Sequence, residues 1–226
     1  MCEEILRVND LSYEYKDGNR KRVILDHADI AFETGKIYSI TGESGSGKTT
    51  FLYCIGGMDP SYQGEILYKG EELKTIGLEK YRRKDVSMVF QNYNLIPYLS
   101  ALQNIYVAVD ISENVKSIDA KQAKAILKKL GISSKQAKMK VSSLSGGEQQ
   151  RIAIARSLAL NAKLIICDEP TGNLDYETGM NVMRIFMDLA HNEDTCVIMV
   201  THNSELAEMC DEQYRIDRTG HCFIKV

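Results

Sequence analysis

The sequence predicts an α/β fold built on a largely parallel sheet, and three observations carry that prediction. The apolar runs Leu164-Ile165-Ile166-Cys167 and Cys196-Val197-Ile198-Met199-Val200 read as buried strands. The segment between them, 177–191, has the spacing of an amphipathic helix. A further short run, Ile37-Tyr38-Ser39-Ile40-Thr41, enters a glycine cluster, beyond which the pattern turns helical from Gly47 to about Ile55. Strands that alternate with helices bury their faces as a mostly parallel sheet with helices packed on it.

The other elements follow in order. Alternation at 5–8, then at 23–25 and 29–32, predicts β structure at the start. Gly56, Gly57 and Pro60 end the first helix. Residues 64–70 and 86–90 read as strands, and 98–131 as helical. Within that stretch, 125–130 sets apolar residues on one face and Lys on the other, with Gly131 as a C-cap. Residues 147–160 form a strong helix, and 214–226 read as strand-turn-strand. The expectation is one domain over 1–226. Its α/β core covers about 1–91 and 144–226, and a nearly all-helical subdomain is inserted at about 92–143.

Composition narrows the function classes. With 226 residues, 44% hydrophobic and 26% charged, the chain is neither disordered nor collagen-like nor a disulfide scaffold. No apolar run approaches the ~18–20 residues of a membrane-spanning helix. The acidic N-terminus lacks the pattern of a signal peptide, so a cytosolic location is expected. Net charge is −3, which gives no reason to expect nucleic acid as a partner. The charge is uneven, since residues 116–140 hold eight Lys against Asp119 alone. Lys121, Lys124, Lys128 and Lys129 could address anionic headgroups or acidic loops of a partner, or form a solvated helix face. The cysteines at 2, 54, 167, 196, 210 and 222 contain no C-x-x-C pair and read as reduced, mostly buried thiols. Cys210, His221, Cys222 and His202 fit no standard zinc spacing.

The glycine cluster carries chemistry. Gly42-Glu43-Ser44-Gly45-Ser46-Gly47-Lys48-Thr49 matches G-x-x-x-x-G-K-[ST], between a strand and a helix. Its glycines let the backbone curl several N–H groups around one anion, and the new helix adds its positive end. Lys48 supplies a mobile charge for the β- and γ-phosphates. The Thr49 hydroxyl can ligate Mg²⁺, and Thr50 can reach the α-phosphate. The run 164–167 ends in Asp168 and Glu169. Asp168 is placed to hold Mg²⁺ through its water shell, and Glu169 to polarise an attacking water.

A narrower motif follows in Leu144-Ser145-Gly146-Gly147-Glu148, which opens a helix and forms a second anion-binding surface. Two phosphate-binding surfaces and one nucleotide loop in one chain make sense if two chains pair head to tail, each closing the other's nucleotide. The sequence here closely resembles the ATP-binding-cassette family, whose signature this segment matches. The resemblance runs through nearly the whole chain. It implies that Tyr15 (less well Tyr13) stacks on adenine, that Gln91 senses the γ-phosphate and Mg²⁺, that 172–175 with Asp175 faces the dimer, and that His202 contacts the γ-phosphate. Fold, cofactors and partners are implied in the same way. The fold is a P-loop NTPase with a RecA-like core, an N-terminal antiparallel β subdomain and an inserted helical subdomain. The cofactors are ATP and Mg²⁺. The partners are a second copy in an ATP-sandwich homodimer and a separate membrane-spanning permease, holding the chain on the cytoplasmic face of the cell membrane.

Residues 89–97 and 168–175 look like the ATPases of lipoprotein-release, macrolide-efflux and antimicrobial-peptide-resistance systems, and like the related cell-division ATPase that signals to cell-wall enzymes. Glu43 stands where that group often has Pro, and Asn203 where Asp is common; neither change removes a catalytic group.

Overall fold

The computed structural model describes residues 3–17, 20–217 and 223–226. Two long strands open it, β1 (Glu4–Asp17) and β2 (Arg20–Glu33), paired antiparallel through several register shifts. Then come β3 (Ile37–Gly42), α1 (Lys48–Ile55), β4 (Gln63–Tyr68), the two-residue β5 (Glu71–Glu72), α2 (Leu73–Ile76), α3 (Leu78–Lys84) and β6 (Val86–Val89). The helices α4 (Ala101–Ile111) and α5 (Ala120–Lys129) precede single 3-10 turns at Gln136–Lys138 and Val141–Ser143. The chain continues through α6 (Gly146–Leu158), β7 (Leu164–Asp168), α7 (Tyr176–Glu193), β8 (Cys196–Val200), α8 (Ser204–Glu208), β9 (Glu212–Ile216) and β10 (Phe223–Lys225).

There are two sheets. An antiparallel one runs β2-β1-β4-β5, and a six-stranded one runs β10-β9-β3-β8-β7-β6. All neighbours in the second sheet are parallel except β10 on β9. Its central strands β8 and β7 are almost wholly apolar, Asp168 at the end of β7 excepted, because both faces are covered. Leu164, Ile166, Ile198 and Val200 point into one core with the antiparallel sheet and α1. Ile165, Cys167, Val197 and Met199 point into the other, with α4 to α7. The helices at 101–129 share that second core through Leu102, Ile105, Ala123 and Leu127, so the inserted segment packs on the same apolar mass. Each such fully buried side chain contributes about 1.5–3 kcal/mol.

The structure corrects the helical reading of 98–131 and of 92–143 as nearly all helix. The helix breaks at Ser112, whose backbone turns extended. Asn114 explains the break: its N–H donates to Ser112 Oγ, and its amide donates to the Leu160 and Asn161 carbonyls. Such side-chain bonds satisfy polar groups that a helix would otherwise satisfy and favour a turn. A new helix starts at Asp119, which forms a capping box with Gln122. The short helices α2 and α3 had no sequence reading at all. Leu73 anchors α2, and α3 is held by Tyr81, fully buried, whose hydroxyl donates to the Ile55 carbonyl at 3.0 Å. Cys54, Cys167, Cys196 and Cys210 are free and buried. Cys2 and the turn at 218–222, with His221 and Cys222, lie outside the described residues. Among the described residues no helix is long and apolar enough to cross a membrane.

Candidate active site

Four parallel strands lie side by side in the order β3-β8-β7-β6, and the segments leaving their carboxyl ends form one wall. After β3 comes the loop 42–47, after β8 His202, after β7 Glu169, and after β6 Gln91. The topology therefore gathers residues up to 160 positions apart in the chain. Together they line a cavity of about 580 Å³, bounded by Ser44, Gly45, Gly47, Lys48, Thr49, Thr50, Gln91, Glu169 and His202, with Ile24 and Arg22 from β2.

The loop cannot accept other residues at two of its glycines. A Cβ on Gly42 would lie 2.6 Å from the Ile216 carbonyl oxygen and 2.7 Å from Ser46 Oγ. Gly47 caps α1 in the left-handed region at φ 96°, with Ile24 at 3.0 Å from a would-be Cβ. The ammonium of Lys48 curls back to donate to the carbonyls of Gly42 at 2.8 Å and Glu43 at 2.7 Å. Burial pushes its pKa down, against the pull of Glu169 and Asp168. Ser46 Oγ is buried with no hydrogen-bond partner. Ser46 does not line the cavity, and an orphaned hydroxyl in the loop is a group that a phosphate oxygen could satisfy.

Thr49 Oγ1 donates to Asp168 Oδ2 at 3.2 Å. No cluster of three or more His, Cys, Asp or Glu that could hold a metal occurs among the described residues. One hydroxyl beside one carboxylate is nonetheless the donor set that suits Mg²⁺, which keeps waters and shares substrate phosphates. Asp168 is buried, and burial, then the charge of Glu169, raises its pKa while the Thr49 hydrogen bond and Lys48 oppose the rise. A raised folded pKa makes the ionised form a cost at neutral pH. Asp168→Asn is therefore expected to raise the thermal midpoint of the nucleotide-free chain. A calorimetric midpoint that falls instead would contradict this.

Glu169 is the hub. It sits at φ 49°, a left-handed value uncommon outside glycine, and its N–H donates to the Val200 carbonyl at 3.0 Å. That backbone turn aims the carboxylate between two neighbours. Gln91 Nε2 donates to Glu169 Oε2 at 3.1 Å, and His202 Nε2 lies 2.9 Å from Glu169 Oε1. Asn203, in the place where Asp is common, caps α8 by accepting the Leu206 N–H at 3.2 Å, the bond an Asp would accept.

The signature residues lie elsewhere. Ser145 and Gly146 are exposed, and none of Ser145, Gly146, Gly147 and Glu148 lines this cavity. Ser145 and Glu148 form a capping box: Ser145 Oγ accepts the Glu148 N–H at 3.3 Å, and Glu148 Oε2 accepts the Ser145 N–H at 2.7 Å. The Ser145 N–H and hydroxyl, both donated to the Glu148 carboxylate, hold its pKa down. Side chains on the two glycines would press on neighbours. A Cβ on Gly146 would meet the Tyr93 hydroxyl at 3.0 Å, and one on Gly147 the Asn173 carbonyl oxygen at 3.4 Å. Asp175 also lies outside the cavity, capping α7 by accepting the Thr178 N–H at 3.0 Å.

Tyr15 is 59% exposed and does not line the cavity, though it pairs across the strands with Arg22, which does. Tyr13 is engaged otherwise, donating to Asp59 Oδ2 at 2.6 Å. Of the residues weighed as a zinc cluster, His202 is bonded to Glu169 and Cys210 lies beside the Leu206 carbonyl. Sequence reasoning missed Arg22, which has no motif of its own. It also missed Arg156 on α6, whose guanidinium donates to the carbonyls of Tyr93, at 3.0 Å, and Asn94. Both of those residues are left-handed, so Arg156 braces a strained turn two residues beyond Gln91.

Comparison with known proteins agrees with this geometry. Residues 25–172 match the ABC transporter family model. YclH of Bacillus subtilis, an uncharacterized ABC transporter ATP-binding protein, is 45% identical over 95% of this chain and 94% of its own. The lipoprotein-releasing system ATP-binding protein LolD of Rickettsia bellii is 38% identical over 96% of both chains. The ATP-binding cassette MJ0796, solved as a dimer in a post-hydrolysis state with ADP and Pi, superposes with a TM-score of 0.92 at 30% identity over 98% of both chains. The chain therefore belongs to the ABC transporter family, as an ATP-binding cassette and ATPase of the group that includes the LolD proteins.

Proposed function

We propose that two copies of this chain close head to tail over two ATP·Mg²⁺ and that the closing and opening drives a separate membrane-spanning permease. One observation carries the reading: Lys48, Gln91, Glu169 and His202 gather at one cavity, while Ser145 to Glu148 lie apart from it, with Ser145 and Gly146 exposed. A second copy is what would bring a signature to that cavity. The MJ0796 cassette is described as dimeric, which supports the same arrangement.

The residues divide the work. The N–H groups of 44–48, the Ser46 hydroxyl and the Lys48 ammonium bind the phosphates, Lys48 exchanging its two carbonyl partners for phosphate oxygens. Thr49, Asp168 and Gln91 would hold Mg²⁺, which when bound neutralises charge on the phosphates. Glu169 accepts the proton of the attacking water, and Gln91 and His202 orient its carboxylate. Ser145, Gly146, Gly147 and Glu148 of the other copy complete the phosphate shell, with Asp175 at the dimer face and Tyr15 under the adenine. Loss of the γ-phosphate then removes a bridge between the copies, and the pair opens.

The cargo would be a peptide, a lipoprotein or an antimicrobial compound, exported or resisted, and the relatives named for lipoprotein release support the lipoprotein among these. The permease would hold the chain at the cytoplasmic face of the membrane. Ser145→Arg tests the composite site, because it places a bulky cation on the exposed signature and leaves the cavity of its own chain untouched. Equilibrium titration should show ATP binding unchanged within about twofold, while ATPase activity falls to background and ATP no longer produces a dimer. A fully active variant would refute the shared site.

A further inference from the structure

We propose that Arg22 is a second phosphate-binding cation of the nucleotide site, supplied by the antiparallel sheet opposite Lys48. The proposal rests on the ATP-site reading above and adds to it a residue that lies outside every motif of the sequence.

The position comes from strand geometry. Arg22 and Ile24 lie two apart on β2, Ile24 at the register shift between the Tyr13–Leu25 and Glu14–Val23 pairs, and both line the cavity. The guanidinium reaches across to the loop, with Nη2 lying 3.9 Å from the place a Cβ would take on Gly45. Gly45 is an exposed loop residue at φ 79° with no side chain of its own, so the arginine lies over the loop backbone that turns its N–H groups inward. Lys48 comes from α1 and Arg22 from β2, so the two cations that line the cavity arrive from different layers of the fold.

Charge accounting separates Arg22 from its neighbours. Lys21 pairs with Glu14 at 3.2 Å, and Arg7 pairs with Glu4. Among the described residues the Arg22 side chain makes no hydrogen bond or ion pair, and the one carboxylate lining the cavity, Glu169, is engaged by Gln91 and His202. A guanidinium left without an acid, facing a loop that binds anions, recognises an anion. On a nucleotide only the phosphates are charged, and the planar fork matches two phosphate oxygens. Because Arg22 stands opposite Tyr15 on the paired strand, a phosphate contact would tie the β1–β2 ribbon to the nucleotide, in the reach of the residue assigned to the base.

The test is calorimetric titration of ATP, ADP and adenosine into chains carrying Glu169→Gln to stop turnover. The variants are Arg22→Ala, Arg22→Lys and, as the site control, Lys48→Ala. Thermal melts check that each variant is folded. The expected result is a five- to thirtyfold weaker Kd for ATP and ADP with Arg22→Ala, an intermediate value with Arg22→Lys, and unchanged adenosine binding. If Arg22→Ala keeps ATP affinity within twofold while Lys48→Ala loses it, the proposal is wrong and the ATP site stands. If adenosine weakens as much as ATP, Arg22 serves the base or ribose and the phosphate assignment is wrong. If Lys48→Ala leaves ATP affinity unchanged, the site reading itself fails and this proposal with it.

Discussion

Replacing Glu169 with glutamine is expected to leave ATP binding intact and to slow its hydrolysis by about a hundred- to ten-thousandfold, the usual worth of a positioned general base. The amide is isosteric, so the left-handed turn at Glu169 and its N–H bond to Val200 have no reason to change. Gln91 can still donate to the amide oxygen. The amide nitrogen then faces His202 Nε2, and the contact survives as a hydrogen bond donated to that nitrogen in the tautomer whose proton is on Nδ1. What goes is the one carboxylate lining the cavity, the group placed to take a proton from water. Single-turnover hydrolysis of bound ATP measures the loss. A rate within a few-fold of the parent would remove Glu169 from its role.

Lys48→Ala should have an equally large effect on a different step. The ammonium is buried and already desolvated, as its lowered pKa reports, so part of the cost of bringing it to phosphate is met in the fold. It exchanges two neutral carbonyl partners for charged oxygens, and charge-assisted hydrogen bonds contribute about 1.5–3 kcal/mol each. Loss of the side chain is expected to weaken ATP at least about a hundredfold, equivalent to roughly 2.7 kcal/mol. Titration of ATP against folded Lys48→Ala reads it directly, and unchanged affinity would refute the loop assignment. The same substitution removes a buried cation whose desolvation opposes its charge, so the nucleotide-free chain should not lose stability through that charge.

The sequence carried the parallel sheet and most of the cavity for a physical reason. Strands buried on both faces leave an uninterrupted apolar run, so 164–167 and 196–200 were legible, and the loop 42–49 can be built from few other residues. The helix boundaries at 112–119 were missed although the signals were present. Ser100 with Gln103, Asp119 with Gln122 and Ser145 with Glu148 are three capping boxes at the same spacing, each starting a helix. Reading the first two would have split the helical segment in the right place. The helices α2 and α3 lack such a signal, since they are short and each buries a single residue, Leu73 and Tyr81. Arg22 and Arg156 were not legible because their roles depend on distant backbone. One reaches Gly45 across two layers, and the other holds the carbonyls of Tyr93 and Asn94 about sixty residues away.

The central claim is that the exposed signature of one copy completes the nucleotide cavity of another. Sedimentation velocity on the Glu169→Gln chain tests it most directly, because bound ATP then persists through the run. The account predicts a single species of one chain without nucleotide and of two chains at saturating ATP with Mg²⁺, reverting to one chain when Ser145→Arg is added. A Glu169→Gln chain that is saturated with ATP and still sediments as one chain would contradict it.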